Sequence, residues 1–176
     1  SNGQVSTVVG GVQGDVDGPV AQAQINRPNS LAVASNGDIY FIASYKLKKI
    51  SSGVVSTVHT GLGLGNVVAY PSADITFTEV FWPSEEQCLV RVSGPLSDAK
   101  CIGRSQFGHN TTLVVDSLGQ LYRLYSNWDD KRVLERLESG NSWQASAYCD
   151  KPQVGPFGSV CIWAQTMAAG PNGQLY

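Results

Sequence analysis

DGPVAQAQINRPNSLAVASNGDIYFIASYKLKKISSGVVSTV, residues Asp17–Val58, contains four short apolar-rich runs: Ser30–Ala34, Asp38–Ala43, Leu47–Ile50 and Val54–Val58. Ser35-Asn36-Gly37 separates the first two and Ser51-Ser52-Gly53 the last two. Asn and Gly take positive φ at little cost, so both clusters read as tight turns. The runs are rich in Val, Ile, Tyr and Phe, and no apolar stripe at helical spacing persists beyond a turn, which predicts strands. Four antiparallel strands joined in this way form one small sheet, which needs neighbours to be stable in water.

The pattern recurs. Asn36–Tyr40 (NGDIY) is followed by Ser72–Thr76 (SADIT), Leu118–Tyr122 (LGQLY) and Asn172–Tyr176 (NGQLY), each after a short apolar run. A Ser-Gly turn returns at Ser52-Gly53, Ser93-Gly94 and Ser139-Gly140. Copies recur every 35 to 55 residues or so, roughly the size of a four-stranded propeller blade.

Gly14–Val58 resembles an NHL repeat. That family's line has a Gly-Asp-Gly-Pro-Ala stretch, a Leu/Ile-x-x-Pro approach and a Gly-x-Ala-Val strand. A turn and a Gly-x-Ile/Leu-Tyr-Val-Ala-Asp strand follow, then a basic-apolar strand and a Thr-Val strand. The likeness is densest over Gly14–Val58 and thinner over Thr112–Leu137 and Gly65–Cys101. Ser44 stands where the family usually has Asp, and Ala73 replaces the turn glycine of the second copy. The resemblance implies an all-β chain: an NHL-like β-propeller of four-stranded antiparallel blades, about four of them covered. The blades fall at about 30–58, 66–102 and 112–149, with a partial blade at 166–176 and a lone strand at Gln4–Val9. That tally closes no ring, so the expectation is a segment of a longer propeller, the alternative being a ring completed by another chain.

With 176 residues, of which 42% are hydrophobic and 15% charged, the chain is large enough to bury one core. The net charge of −2 argues against the basic face by which some NHL proteins bind RNA, so no nucleic-acid partner is expected. Lys46, Lys48 and Lys49 read as a solvated face or as edge protection. No apolar stretch is long enough to span a membrane. The even set of four cysteines, Cys88, Cys101, Cys149 and Cys161, matches no zinc spacing, and Asn110-Thr111-Thr112 is a glycosylation sequon. Together they point to an extracellular or cell-surface domain. Pairing Cys88 with Cys101 joins the third and fourth strands of the second blade, and Cys149 pairs with Cys161 across the connection that follows. The plain alternative is four reduced, buried thiols.

His59 and His109 sit near equivalent connections and suggest a pair of metal ligands, as in the peptide-amidating lyases on NHL-like propellers. No third ligand completes a site, so neither a metal nor a cofactor is expected, and locally satisfied loop histidines are the simpler reading. Asp15, Asp17 and Asp38 lack the alternation of a calcium loop and read as turn formers. GLGLG at 61–65 precedes a strand rather than a helix, which rules out a phosphate cradle. Helix is most conceivable at 127–138, where DDKRVLERLE also reads as a short helix.

The loops joining second to third strands share one face of such a disc. They carry Tyr45, then Trp82 with Glu85 and Glu86, then Trp128 with Asp129 and Asp130. Aromatic anchors with a polar rim are the composition of a protein-binding surface, unless each ring folds back onto its own sheet. The expectation is a non-enzymatic interaction or adhesion module whose partner is another extracellular protein. The runner-up is a metal-dependent lyase or hydrolase.

Overall fold

The computed structural model describes residues 3–61, 63–81, 86–92, 100–105, 111–126, 132–137, 143–149, 167–168 and 175. At 80–81, 86–87, 100, 102–105, 126, 132 and 143–149 it describes the backbone alone. The described residues form three antiparallel sheets and no helix.

The first sheet takes in β1 (Gly18–Pro19), β2 (Asn29–Val33), β3 (Ile39–Ala43), β4 (Lys46–Ser51) and β5 (Val54–Thr60), in the order β1-β5-β4-β3-β2. The second runs β6 (Val67–Ala69), β7 (Ile75–Phe81), β8 (Glu86–Val92) and β9 (Lys100–Ser105). The third runs β10 (Thr112–Val115), β11 (Leu121–Ser126), β12 (Arg132–Leu137) and β13 (Trp143–Cys149).

The repeated motif produces one repeated hairpin. Ala34, Tyr70 and Asp116 each accept a backbone hydrogen bond from the residue three ahead and donate one to the carbonyl four ahead, at 2.8–3.0 Å. The turn residue before the second strand is left-handed in every copy: Gly37 (φ 87°), Ala73 (φ 68°) and Gly119 (φ 81°). The second copy therefore keeps the turn despite losing its glycine.

The sheets pack through their first strands, β2 beside β6 and β6 beside β10. The Ser30 hydroxyl accepts the Val67 N–H at 2.8 Å, and Asn66 Nδ2 donates to the Thr111 carbonyl at 2.6 Å. These bonds place the starts of all three first strands at one end. One core lies between sheets one and two (Ala32, Ile42 and Leu47 against Val67, Ile75, Phe77 and Val92). Another lies between sheets two and three, where Tyr70 and Leu89 meet Leu113 and Leu121. The far face of the first sheet carries a third cluster, in which Val9, Val20, Ala23 and Ile25 cover Phe41, Ala43, Ile50 and Val55.

Several expectations need correction. Gln4–Val9 is not a strand in the described structure, and Val5 is almost fully exposed. Arg132–Leu137 is β12, as the all-β expectation has it, since its backbone pairs on both sides, and the alternative helix does not form there. His59 lies within β5 rather than in a connection. The partial unit at 166–176 lies outside the described residues except for 167–168 and 175.

Candidate functional site

The strands run up and down, so the starts of first strands, the ends of second strands and the starts of third strands share one end of the assembly. At that end, β3 and β4 are joined by Ser44-Tyr45 alone, with φ of 52° and 60°. Two left-handed residues make the turn whose twist matches a two-residue hairpin. The Ser44 hydroxyl ties it down by donating to the Asn26 carbonyl at 3.2 Å, and Gly61 N–H donates to the Tyr45 carbonyl at 3.3 Å. Tyr45 itself is 67% exposed. An aromatic ring presented on a fixed turn loses little freedom on contact with a partner.

The other expected binding residues are reached only in part. Trp82, Glu85, Trp128, Asp129 and Asp130 lie outside the described residues, as does Asn110 of the sequon. Glu86 opens β8, with only its backbone described. Lys46 is the first residue of β4.

Beside the turn is a charge cluster that the sequence reading missed. Lys48 was expected to be solvated, yet it is fully buried. Its ammonium lies 2.8 Å from Asp15 and 2.6 Å from Asp17, and donates to the Thr57 hydroxyl at 3.1 Å. Lys46 pairs with the same Asp15, and Asp17 also accepts the Thr57 N–H at 2.6 Å. The Lys46 and Lys48 hydrogen bonds hold the Asp15 carboxyl below its ordinary range. Burial pushes Asp17 up, but Lys48 and Thr57 outweigh it and leave it lowered. Burial likewise opposes the charge on Lys48, and the two carboxylates outweigh it, raising its pKa. Asp15 and Asp17 are thus straps fastening the preceding segment to the sheet, a stronger role than turn formation. A usable signal was present: two acids at period two facing two lysines at period two (Asp15/Asp17 with Lys46/Lys48). Asp38 does form a turn, its N–H donating to Asn36 Oδ1 at 3.0 Å.

His59 reaches across to the second sheet, its Nε2 lying 3.2 Å from both oxygens of the Glu79 carboxylate. Its ring centroid is 5.2 Å from that of Phe77. This explains the GLGLG stretch. A Cβ on Gly61 would sit 2.1 Å from Glu79 Oε1, and one on Gly65 would sit 2.3 Å from the Thr78 hydroxyl. The glycines admit close packing of β7 side chains rather than a phosphate. His109 lies outside the described residues, and among the described residues no three His, Cys, Asp or Glu side chains gather as a metal site.

Cys88 is bonded to Cys101, with Cα atoms 5.7 Å apart. Cys101 stands near the start of β9 rather than at its end, and a bulge at Leu89/Val90 puts it opposite Val90. The bond therefore runs diagonally between β8 and β9. The expected Cys149–Cys161 pair lies outside the described side chains. Among the described residues no helix is long and apolar enough to cross a membrane.

No protein-family model matches the chain. Neither does any curated protein. Its fold is similar to the crystal structure of a structural-genomics protein of unknown function from Bacteroides thetaiotaomicron VPI-5482. The TM-score is 0.58, with 18% identity, covering 79% of this chain and 36% of that one. The chain thus spans little more than a third of that protein's length. At this identity the likeness concerns the fold alone.

Proposed function

We propose that the three sheets are consecutive blades of an NHL-like β-propeller that belongs to a larger ring, and that this propeller is an extracellular interaction module. The blade reading is supported by the thrice-repeated hairpin and by first strands standing side by side with a common direction. The extracellular reading is supported by the Cys88–Cys101 bond, since such bonds persist in oxidising compartments.

The observation that carries the binding role is Tyr45, exposed on a turn tied to Asn26 and Gly61. The strand ends from which the connections holding Trp82 and Trp128 depart, those of β7 and β11, lie at the same end. A panel of purified extracellular domains, screened with the immobilised chain, tests this. Replacing Tyr45, Trp82 and Trp128 by alanine should weaken the captured partner by about tenfold or more while the melting temperature holds. Unchanged affinity with a lowered melting temperature would assign those rings to the core.

His59 beside Glu79 favours a second reading, a metal-dependent lyase or hydrolase, because a histidine held by a carboxylate is a common supporting pair for a metal. Stoichiometric metal in the purified protein, lost on His59→Ala, would put that reading first.

A further inference from the structure

The Cys88–Cys101 bond joins two unlike environments. Cys88 is 1% exposed and belongs to the core between the first and second sheets, with Ala32, Ile42, Leu47 and Phe77. Its strand, β8, lies inside the sheet, and Val90 and Val92 of the same strand share that core. Cys101 stands on β9, the last strand of the sheet, and is exposed.

A disulfide is opened by a thiolate that attacks one sulfur along the extension of the S–S bond and expels the other, so access decides which sulfur is attacked. The two sulfurs are therefore approached from opposite sides. Attack on Cys88 needs space behind its sulfur, where the interior is close-packed. Attack on Cys101 comes from the side away from Cys88, that of the exposed residue.

We propose that Cys101 is a reversible S-thiolation site, at which a low-molecular-weight thiol adds while Cys88 departs as the leaving group. The exchange balances without another reagent. The thiol's sulfur bonds to Cys101 Sγ and the Cys88–Cys101 bond breaks. Cys88 Sγ leaves with the electron pair and takes up the proton that the thiol gave up. The new Cys88 thiol finds an acceptor in place, since the Leu89 carbonyl lies 3.6 Å from its sulfur. The added group stands on an exposed residue, so the core keeps its packing. Reversal needs no oxidant: Cys88 attacks Cys101 Sγ and expels the added thiol. The β8–β9 pairing on either side, from Gln87↔Ser105 to Arg91↔Lys100, keeps the two cysteines within reach for that step. Cys101 is the modified cysteine and Cys88 the resolving one.

Glutathione tests this on the native chain. Brief exposure, acid quenching to stop exchange, and peptic mapping at acid pH should find the adduct on Cys101 over Cys88 by about tenfold or more. The same treatment in concentrated urea should spread the adduct over both. A native adduct on Cys88 or divided evenly, a bias that persists in urea, or exchange no faster than global unfolding would each overturn the inference. Single variants give an independent reading with glutathione disulfide. The Cys101 thiol of Cys88→Ala should be glutathionylated about tenfold or more faster than the Cys88 thiol of Cys101→Ala. Equal rates in the two folded variants would contradict the assignment. Cys101→Ala alters only an exposed position, so its Cys88 thiol reports on the core as it stands.

Discussion

Lys48 of β4 and Asp17 of the segment ahead of β2 meet at 2.6 Å although 31 residues separate them in sequence. The contact fastens the Gly14–Pro19 segment to the face that Val20, Ala23 and Ile25 cover, so its loss should loosen the whole strap. Lys48→Met should cost about 2 kcal/mol, the scale of hydrogen bonds to a charged group after allowance for the partly solvated carboxylates. Denaturant unfolding checks it. No loss would mean that the apolar strap residues hold without the charges.

The same cluster sets a pH dependence. The folded pKa of Asp15 and Asp17 lies below the ordinary 3.8, so their stabilisation is complete above that value and is lost as pH falls through the folded values. Lys48 is raised above 10.5, so its stabilisation is complete below that value and lost as pH rises through the folded one. Melting temperature should therefore drop at both extremes, and more gently in Lys48→Met. Identical profiles for the two proteins would contradict the pairing.

The strands were legible because each is short, rich in β-branched and aromatic residues and bounded by its own turn residues, as Ile39–Ala43 is between Gly37 and Ser44. The strap was not, because Lys48 reads as solvated unless Asp15 and Asp17 are known to return to it from far upstream. Gln4–Val9 shows the converse. It has a strand's composition, but a strand exists only where another strand pairs along its length, and local sequence does not fix that pairing. At the site, Tyr45 was legible because it falls between the apolar-rich runs Asp38–Ala43 and Leu47–Ile50. Glu79 as the partner of His59 was not, because that contact depends on how two sheets meet.

Ala73 holds φ 68° where its counterparts are glycines. A left-handed residue with a Cβ costs on the order of 1 kcal/mol, so Ala73→Gly should stabilise the protein by about that much, and Gly119→Ala should destabilise it similarly. Thermal unfolding of the pair decides it. An Ala73→Gly variant no more stable than the parent would show that the turn is relaxed as it stands.

Gly61→Ala should push the Glu79 carboxylate off its present position and break its contact with His59. The expected loss is about 1 kcal/mol, with Gly61→Ala and His59→Ala together costing less than their sum, since both remove one interaction. Additive losses would mean that the pair contributes nothing across the sheets.

Reducing Cys88–Cys101, whose partners are 13 residues apart, should cost on the order of 3 kcal/mol through the freedom regained by the unfolded chain. Unfolding with and without reductant, compared with Cys88→Ala/Cys101→Ala, measures it. Retained stability in the double variant would argue that the β8–β9 pairing is self-sufficient.

The central claim is that the sheets are successive copies of one unit, ordered along the chain with their first strands adjacent. Spin labels at Ser35, Ser72 and Ser117, all exposed on the repeated turns, test it by pairwise distances. Neighbouring sheets should differ by about 10 Å per step before label tethers are added. The account predicts similar short distances for Ser35–Ser72 and Ser72–Ser117 and a longer one for Ser35–Ser117. A Ser35–Ser72 distance as long as Ser35–Ser117, or longer, would contradict it.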